Sequence, residues 1–94
     1  MKSFFEVVVN VTSNEELRIL AFLYEESADS IFKSISRRQI QNRLAYKEAE
    51  IRKCLLLLQG KQFVLCNTHT KEKKYFISDF GVRALNYSLE KAGV

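Results

Sequence analysis

Residues 36–60 read SRRQIQNRLAYKEAEIRKCLLLLQG, and two helices with a tight link between them can be read from that stretch. Ser36 and Gln39 stand at capping-box spacing, so the serine hydroxyl can accept from the Gln39 N–H while the glutamine side chain returns to the serine N–H. Ile35, just before the cap, and Ile40, at the fourth helical position, can close as a hydrophobic staple, with Leu44 one turn further on. These signals predict a helix over 37–44. Ala45-Tyr46-Lys47 leaves room only for a tight connection. From Glu48 onward, Ile51, Cys54, Leu55 and Leu58 recur at helical spacing until Gly60 supplies a stop, which predicts a second helix over 47–59.

Working outward, MKSFFEVVVNV sets Phe5, Val7, Val9 and Val11 against Phe4, Glu6, Val8 and Asn10, a period of two that predicts a strand over 1–12. Ser13 and Glu16 repeat the capping-box spacing ahead of Leu17, Leu20, Ala21 and Tyr24, which predicts a helix over 14–26. After the polar break Ser27 to Ser30, Ile31-Phe32-Lys33 reads as a short extended piece. On the other side, Phe63 to Cys66 and Tyr75 to Ser78 flank NTHTKEKK (67–74), a hairpin with a long basic tip. Ser78 can cap a last helix with Val82, Leu85 and Leu89 on one stripe and Gly81 near its start.

The chain has 94 residues and a mass of 11.0 kDa, enough for one core and no second module. Hydrophobic residues at 47% and charged residues at 28% describe a folding chain. The apolar tetrad Leu55 to Leu58 falls far short of the roughly 18–20 residues of a membrane span. The N-terminus has neither a long apolar core nor a small-residue cleavage site, so it reads as structure. Cys54 and Cys66 are too few for a disulfide scaffold and suit a reducing cytoplasm. Cys66 and His69 have a C-x2-H spacing, but with Cys54 they fall short of the roughly four ligands of a zinc site, so no metal is expected. There is no nucleophile elbow and no phosphate-cradling glycine loop, and His69, the sole histidine, has no evident carboxylate partner. No catalysis and no cofactor is expected.

Charge is unevenly placed. The stretch from Lys33 to Lys74 holds eleven of the fifteen basic residues and three of the eleven acids. Such a block suggests one positive face and a polyanionic partner.

Two helices joined by about three residues and followed at once by a hairpin form the layout of a helix-turn-helix with a wing. Leu44, Tyr46, Ile51, Leu55, Leu58, Phe63 and Val64, together with Ser78-x-x-Gly81-x-x-x-Leu85, resemble the pattern of winged-helix transcription regulators of the MarR, PadR and ArsR-like kind across residues 36–85. In that pattern a glycine precedes the wing valine by two residues; here the position is Gln62, which predicts a turn closed in another way. The resemblance implies an α+β, α-rich fold: a single winged-helix domain over 1–94. It comprises an extra N-terminal strand (1–12), a helix-turn-helix (36–59), a wing (63–78) and a C-terminal helix (79–92).

It also implies a DNA-binding transcriptional regulator whose partner is double-stranded DNA, with helix three in the major groove and the wing on the backbone. The expected DNA-binding residues are Arg37, Arg38, Gln41, Asn42 and Arg43 on helix two and Lys47, Glu50, Arg52 and Lys53 on helix three. His69, Lys71, Lys73 and Lys74 on the wing complete the set. Glu48 also points outward, and a Glu can accept a hydrogen bond from cytosine N4. Leu56 and Leu57 flank the inward stripe of helix three, to be covered by helix one, by the final helix or by a second subunit. The N-terminal strand and Phe80, Ala84 and Tyr87 are further candidates for a homodimer contact. The competing reading is a winged-helix protein-interaction module without DNA binding, favoured by Glu48 and Glu50.

Overall fold

The computed structural model describes residue 7 and residues 10–92. In chain order it contains α1 (Asn14–Glu25), a 3-10 turn (Ile31–Lys33), β1 (Ile35–Ser36), α2 (Arg37–Leu44), α3 (Glu48–Gly60), β2 (Val64–Asn67), β3 (Lys74–Ile77) and α4 (Asp79–Ala92). The three strands form one antiparallel sheet of order β1-β3-β2. Ile35 pairs with Tyr75 and Ser36 with Lys74 on one side; Val64 pairs with Ile77 and Asn67 with Lys74 on the other.

Local chemistry sets the helix starts. Ser36 and Gln39 form a complete capping box, with Gln39 N–H donating to the serine hydroxyl at 3.3 Å and Ser36 N–H to Gln39 Oε1 at 3.1 Å. At α1 the Ser13 hydroxyl accepts from the Glu16 N–H at 3.2 Å, but the Glu16 side chain does not return to the Ser13 N–H. Its Oε1 accepts from the Ser13 hydroxyl and its Oε2 from Lys61 Nζ at 2.6 Å. With Glu16 drawn inward, the buried stripe of α1 is Glu16, Ile19, Leu20, Phe22 and Leu23, while Tyr24, expected on that face, is exposed.

The core joins that stripe to Ile40 of α2, Ile51, Cys54, Leu55 and Leu58 of α3, Phe63, Val64, Tyr75 and Ile77 of the sheet, and Ala84 and Leu85 of α4. Ile35, before the α2 cap, packs against it half-buried.

Several expectations are corrected. Residues 31–33 are not extended: Lys33 N–H donates to Ser30 O at 3.0 Å and the Ser34 hydroxyl to Ile31 O at 2.9 Å, closing a 3-10 turn that leaves Phe32 95% exposed. The strand pairing begins two residues later, at Ile35. The strand expected over 1–12 lies mostly outside the described residues. Where it is described, at Val7 and Asn10, the backbone is helical, and Val11 N–H donates to Val7 O, four residues back. An apolar pair four apart serves a helix as well as alternation serves a strand.

Gly60 does not stop α3; it is the last helical residue, without positive φ. The helix closes at Gln62, whose φ of 62° is left-handed, with Phe63 N–H reaching back to Leu58 O at 3.0 Å in a Schellman-type turn. Gln62 thus adopts, without being glycine, the conformation that a glycine adopts at lower cost.

On α4 the inward residues are Gly81, Ala84 and Leu85, with Val82 half-buried and Leu89 exposed. Ala84 is fully buried within the chain and the Phe80 ring lies 5.1 Å from that of Phe63, so neither is a free surface for a second subunit. Ser78 and Gly81 explain each other. The Ser78 hydroxyl accepts from Gly81 N–H at 3.0 Å and donates to the Gln62 and Phe63 carbonyls, drawing the start of α4 so close to residue 63 that a Cβ on Gly81 would collide with the Phe63 carbonyl oxygen.

Candidate nucleic-acid interface

The turn between α2 and α3 fixes the relation of the two helices. Ala45 takes a left-handed φ of 57° and its N–H donates to Gln41 O at 2.9 Å, which ends α2 and turns the chain at once into α3. Lys47 then stands at the N-cap of α3. α1, α2 and α4 each begin at a serine whose hydroxyl accepts a backbone N–H; Lys47 has no acceptor to offer and makes no side-chain cap. The first-turn N–H groups of α3 are therefore left to solvent or a ligand.

Two neighbouring grooves open where α2, α3 and the wing meet. One, of about 220 Å³, is lined by Arg37, Arg38, Glu72, Lys73 and Tyr75. The other, of about 360 Å³, shares Arg37, Lys73 and Tyr75 and adds Arg52, Leu55, Leu56 and Gln59. Basic side chains from three separate segments thus converge: Arg37 and Arg38 from the first turn of α2, Arg52 from α3 and Lys73 from the wing. Tyr75 sits beneath them, nearly buried on the central strand, and burial raises the pKa of its phenol.

Glu48 ties these cations together. Its Oε1 forms ion pairs with Arg52 Nη2 at 2.8 Å and with Arg37 Nη2 at 3.2 Å. The acid that lines the smaller groove is Glu72; Glu48 lines neither groove but pairs with two of their arginines. Glu50 lines a separate depression of about 330 Å³ towards α1, with Ser13, Glu15, Glu16, Lys53, Cys54 and Leu57.

The remaining expected residues are dispersed. Lys47 is exposed at the start of α3, and His69 and Lys71 are exposed at the wing tip, where His69 N–H donates to Asn67 Oδ1 at 3.0 Å. Gln41 is half-buried, and Lys74 is half-buried on the central strand. Asn42 and Arg43 lie apart from the grooves, in a depression with Phe22, Glu26, Ile35 and Gln39. There Arg43 pairs with Glu26 at 3.5 Å and covers the Phe22 ring. Lys53 is exposed on the outer side of α3. Sequence spacing could not separate these sets, because the partner of Arg43 comes from α1 and the partner of Arg37 from across the turn. Tyr75 was missed because strand alternation marks it only as an inward residue.

Leu56 and Leu57 are 69% and 43% exposed, so neither α1 nor α4 covers them. With Glu48, Ala49, Arg52 and Lys53 they line an open depression of about 560 Å³ along the outer face of α3. Cys54 is buried, and burial pushes its thiol up from the ordinary range, as for a small hydrophobe. Among the described residues no helix is long and apolar enough to cross a membrane, and no three or more His, Cys, Asp or Glu cluster as a metal-ligand group.

No protein-family model matches the chain. It is 30% identical over 89 residues to the DNA-binding protein TubR of Priestia megaterium (strain ATCC 12872 / QMB1551), an alignment covering 95% of this chain and 88% of that protein. Its fold is similar to the solved structure of TubR from Bacillus megaterium pBM400, with a TM-score of 0.88 at 30% identity, over 94% of this chain and 98% of that one. A more distant likeness, with a TM-score of 0.66 at 17% identity, is to Staphylococcus aureus MepR in a complex with DNA, over 80% of this chain and 52% of that one. This second likeness bears on the fold alone, that of a small winged helix.

Proposed function

We propose that this chain, which belongs to the TubR family of DNA-binding proteins, is a DNA-binding regulator that grips double-stranded DNA with the grooves between α2, α3 and the wing. The observation that carries this reading is the convergence of Arg37, Arg38, Arg52 and Lys73, from three segments, on those two grooves. Phosphate contacts come from guanidinium and ammonium groups and from helix N-termini. The site has all three kinds of donor, since the uncapped start of α3 with Lys47 adds free N–H groups beside the cations. The N-terminal half of α3 faces the bases and the wing, with His69, Lys71, Lys73 and Lys74, lies along the backbone. Gln41 borders the same contact. Asn42, Arg43, Glu50 and Lys53, turned to other faces, contribute less. A cytoplasmic location and the absence of catalysis belong to the same reading.

The chain acts as a homodimer in this reading. A helix face inserted alone into a groove gains nothing from exposed leucines, whereas a second copy set on Leu56 and Leu57 removes them from water.

Fluorescence anisotropy with duplexes of unrelated sequence tests the DNA contact. The triple variant K71A/K73A/K74A is expected to weaken binding to all of them alike, as phosphate contacts carry no sequence information. A parent protein that binds no duplex at low salt would instead favour a protein-interaction module.

A further inference from the structure

Glu48 is an acid paired with two arginines of the proposed phosphate site. We propose that it is a specificity-determining residue, which suppresses phosphate-only binding and accepts a hydrogen bond from a base amino group in the cognate site. This inference rests on the DNA-binding reading above.

Glu48 is the first residue of α3, the end of a recognition helix that reaches base edges. Its side chain is 53% exposed, and an exposed ion pair of this kind contributes little to stability. Its position matters more than its strength, for a single oxygen holds both Arg37, which lines the two grooves, and Arg52, which lines the larger. A phosphate that pairs with either guanidinium is brought close to this carboxylate. On a duplex of arbitrary sequence the like-charge contact is left uncompensated, and the two arginines stay partly neutralised.

Where the groove edge presents an exocyclic amino group, such as cytosine N4 or adenine N6, the carboxylate finds a donor of its own. Arg37 and Arg52 can then turn to phosphate. Discrimination of this kind works by penalising the wrong partner as much as by rewarding the right one. Glu48 pairs with the two guanidinium groups from either side of the α2–α3 turn, so the cost and the reward fall at one register.

The test is in vitro selection from a random duplex pool, run in parallel with salt titration on an unselected duplex, for the parent, E48A and E15A. Glu15 lies on α1, outside the grooves, and its loss changes net charge by the same amount. Both variants should melt as the parent does. E48A is expected to bind unselected duplex roughly three- to tenfold tighter at low salt, with a salt slope steeper by about 0.9. Its selected motif should lose the preference for an amino-bearing base at one position, while E15A keeps the parent motif. If the parent selects a motif and E48A selects the same one, or if E15A changes it equally, Glu48 has no specificity role. If the parent enriches no DNA at all, the DNA-binding reading itself fails and this inference falls with it.

Discussion

Lys61 Nζ lies 2.6 Å from Glu16 Oε2, joining the residue after α3 to the first turn of α1. Both side chains are largely withdrawn from water, at 15% and 3% exposure, and the ammonium also reaches Thr12 Oγ1 at 3.2 Å. A buried pair contributes little net stability relative to a packed apolar one, because desolvation offsets attraction, but removing one partner strands a charge. K61M should therefore destabilise the fold by about 3 kcal/mol, whereas E16L/K61M should fall within about 1 kcal/mol of the parent. Chemical denaturation of the two variants checks this. Equal losses would show that the pair acts through something other than charge burial.

Gly81 reverses the usual rule for a helix. Gly to Ala in an exposed helix interior gains about 1 kcal/mol. Here the added methyl meets the Phe63 carbonyl and lies 2.8 Å from Ile77 Cγ1, both parts of the packed wing root. G81A is expected to lower stability by about 2 kcal/mol or more, as overpacking does. Thermal melting should show the loss, and S78A should show a smaller one, about 1 kcal/mol for a lost cap.

Gln62 and Ala45 occupy left-handed backbone at φ of 62° and 57° with no glycine at either position. A Cβ in that region costs roughly 1–2 kcal/mol. Q62G and A45G should each stabilise the protein by up to about 1 kcal/mol after the added freedom of the unfolded chain is subtracted. A rise in denaturation midpoint without a change in slope is the expected signature.

Much of the fold is legible in the residues themselves because its decisive signals are local. The Ser36/Gln39 box starts α2 as its spacing implies, and the expected hairpin forms one residue along, Val64–Asn67 pairing with Lys74–Ile77, so that Asn67 and Lys74 belong to the strands and not to the tip. What fails locally is decided by distant partners. Tyr24 was expected on the inward face of α1, but the stripe follows Glu16, whose partner Lys61 lies 45 residues away. Residues 31–33 turn instead of extending because Ser30 and Ser34 satisfy their backbone. The candidate site divides the same way. The concentration of positive charge between Lys33 and Lys74 shows in composition, but sorting Arg37 into the grooves and Arg43 onto Glu26 requires the packing of α1 and the wing. Glu48 pairs with the groove arginines and Glu50 faces α1, although they are two residues apart, because that spacing sends them to different sides of α3.

If the grooves between α2, α3 and the wing carry the DNA backbone, their cations set how steeply binding falls with salt. The decisive quantity is the slope of log Kobs against log salt for an unselected duplex, measured for the parent and for R38A/K73A. Two lost phosphate contacts should make the negative slope shallower by roughly 1.8, at about 0.9 per contact, with affinity reduced at low salt. An unchanged slope and affinity in that variant would place the DNA backbone elsewhere on the protein.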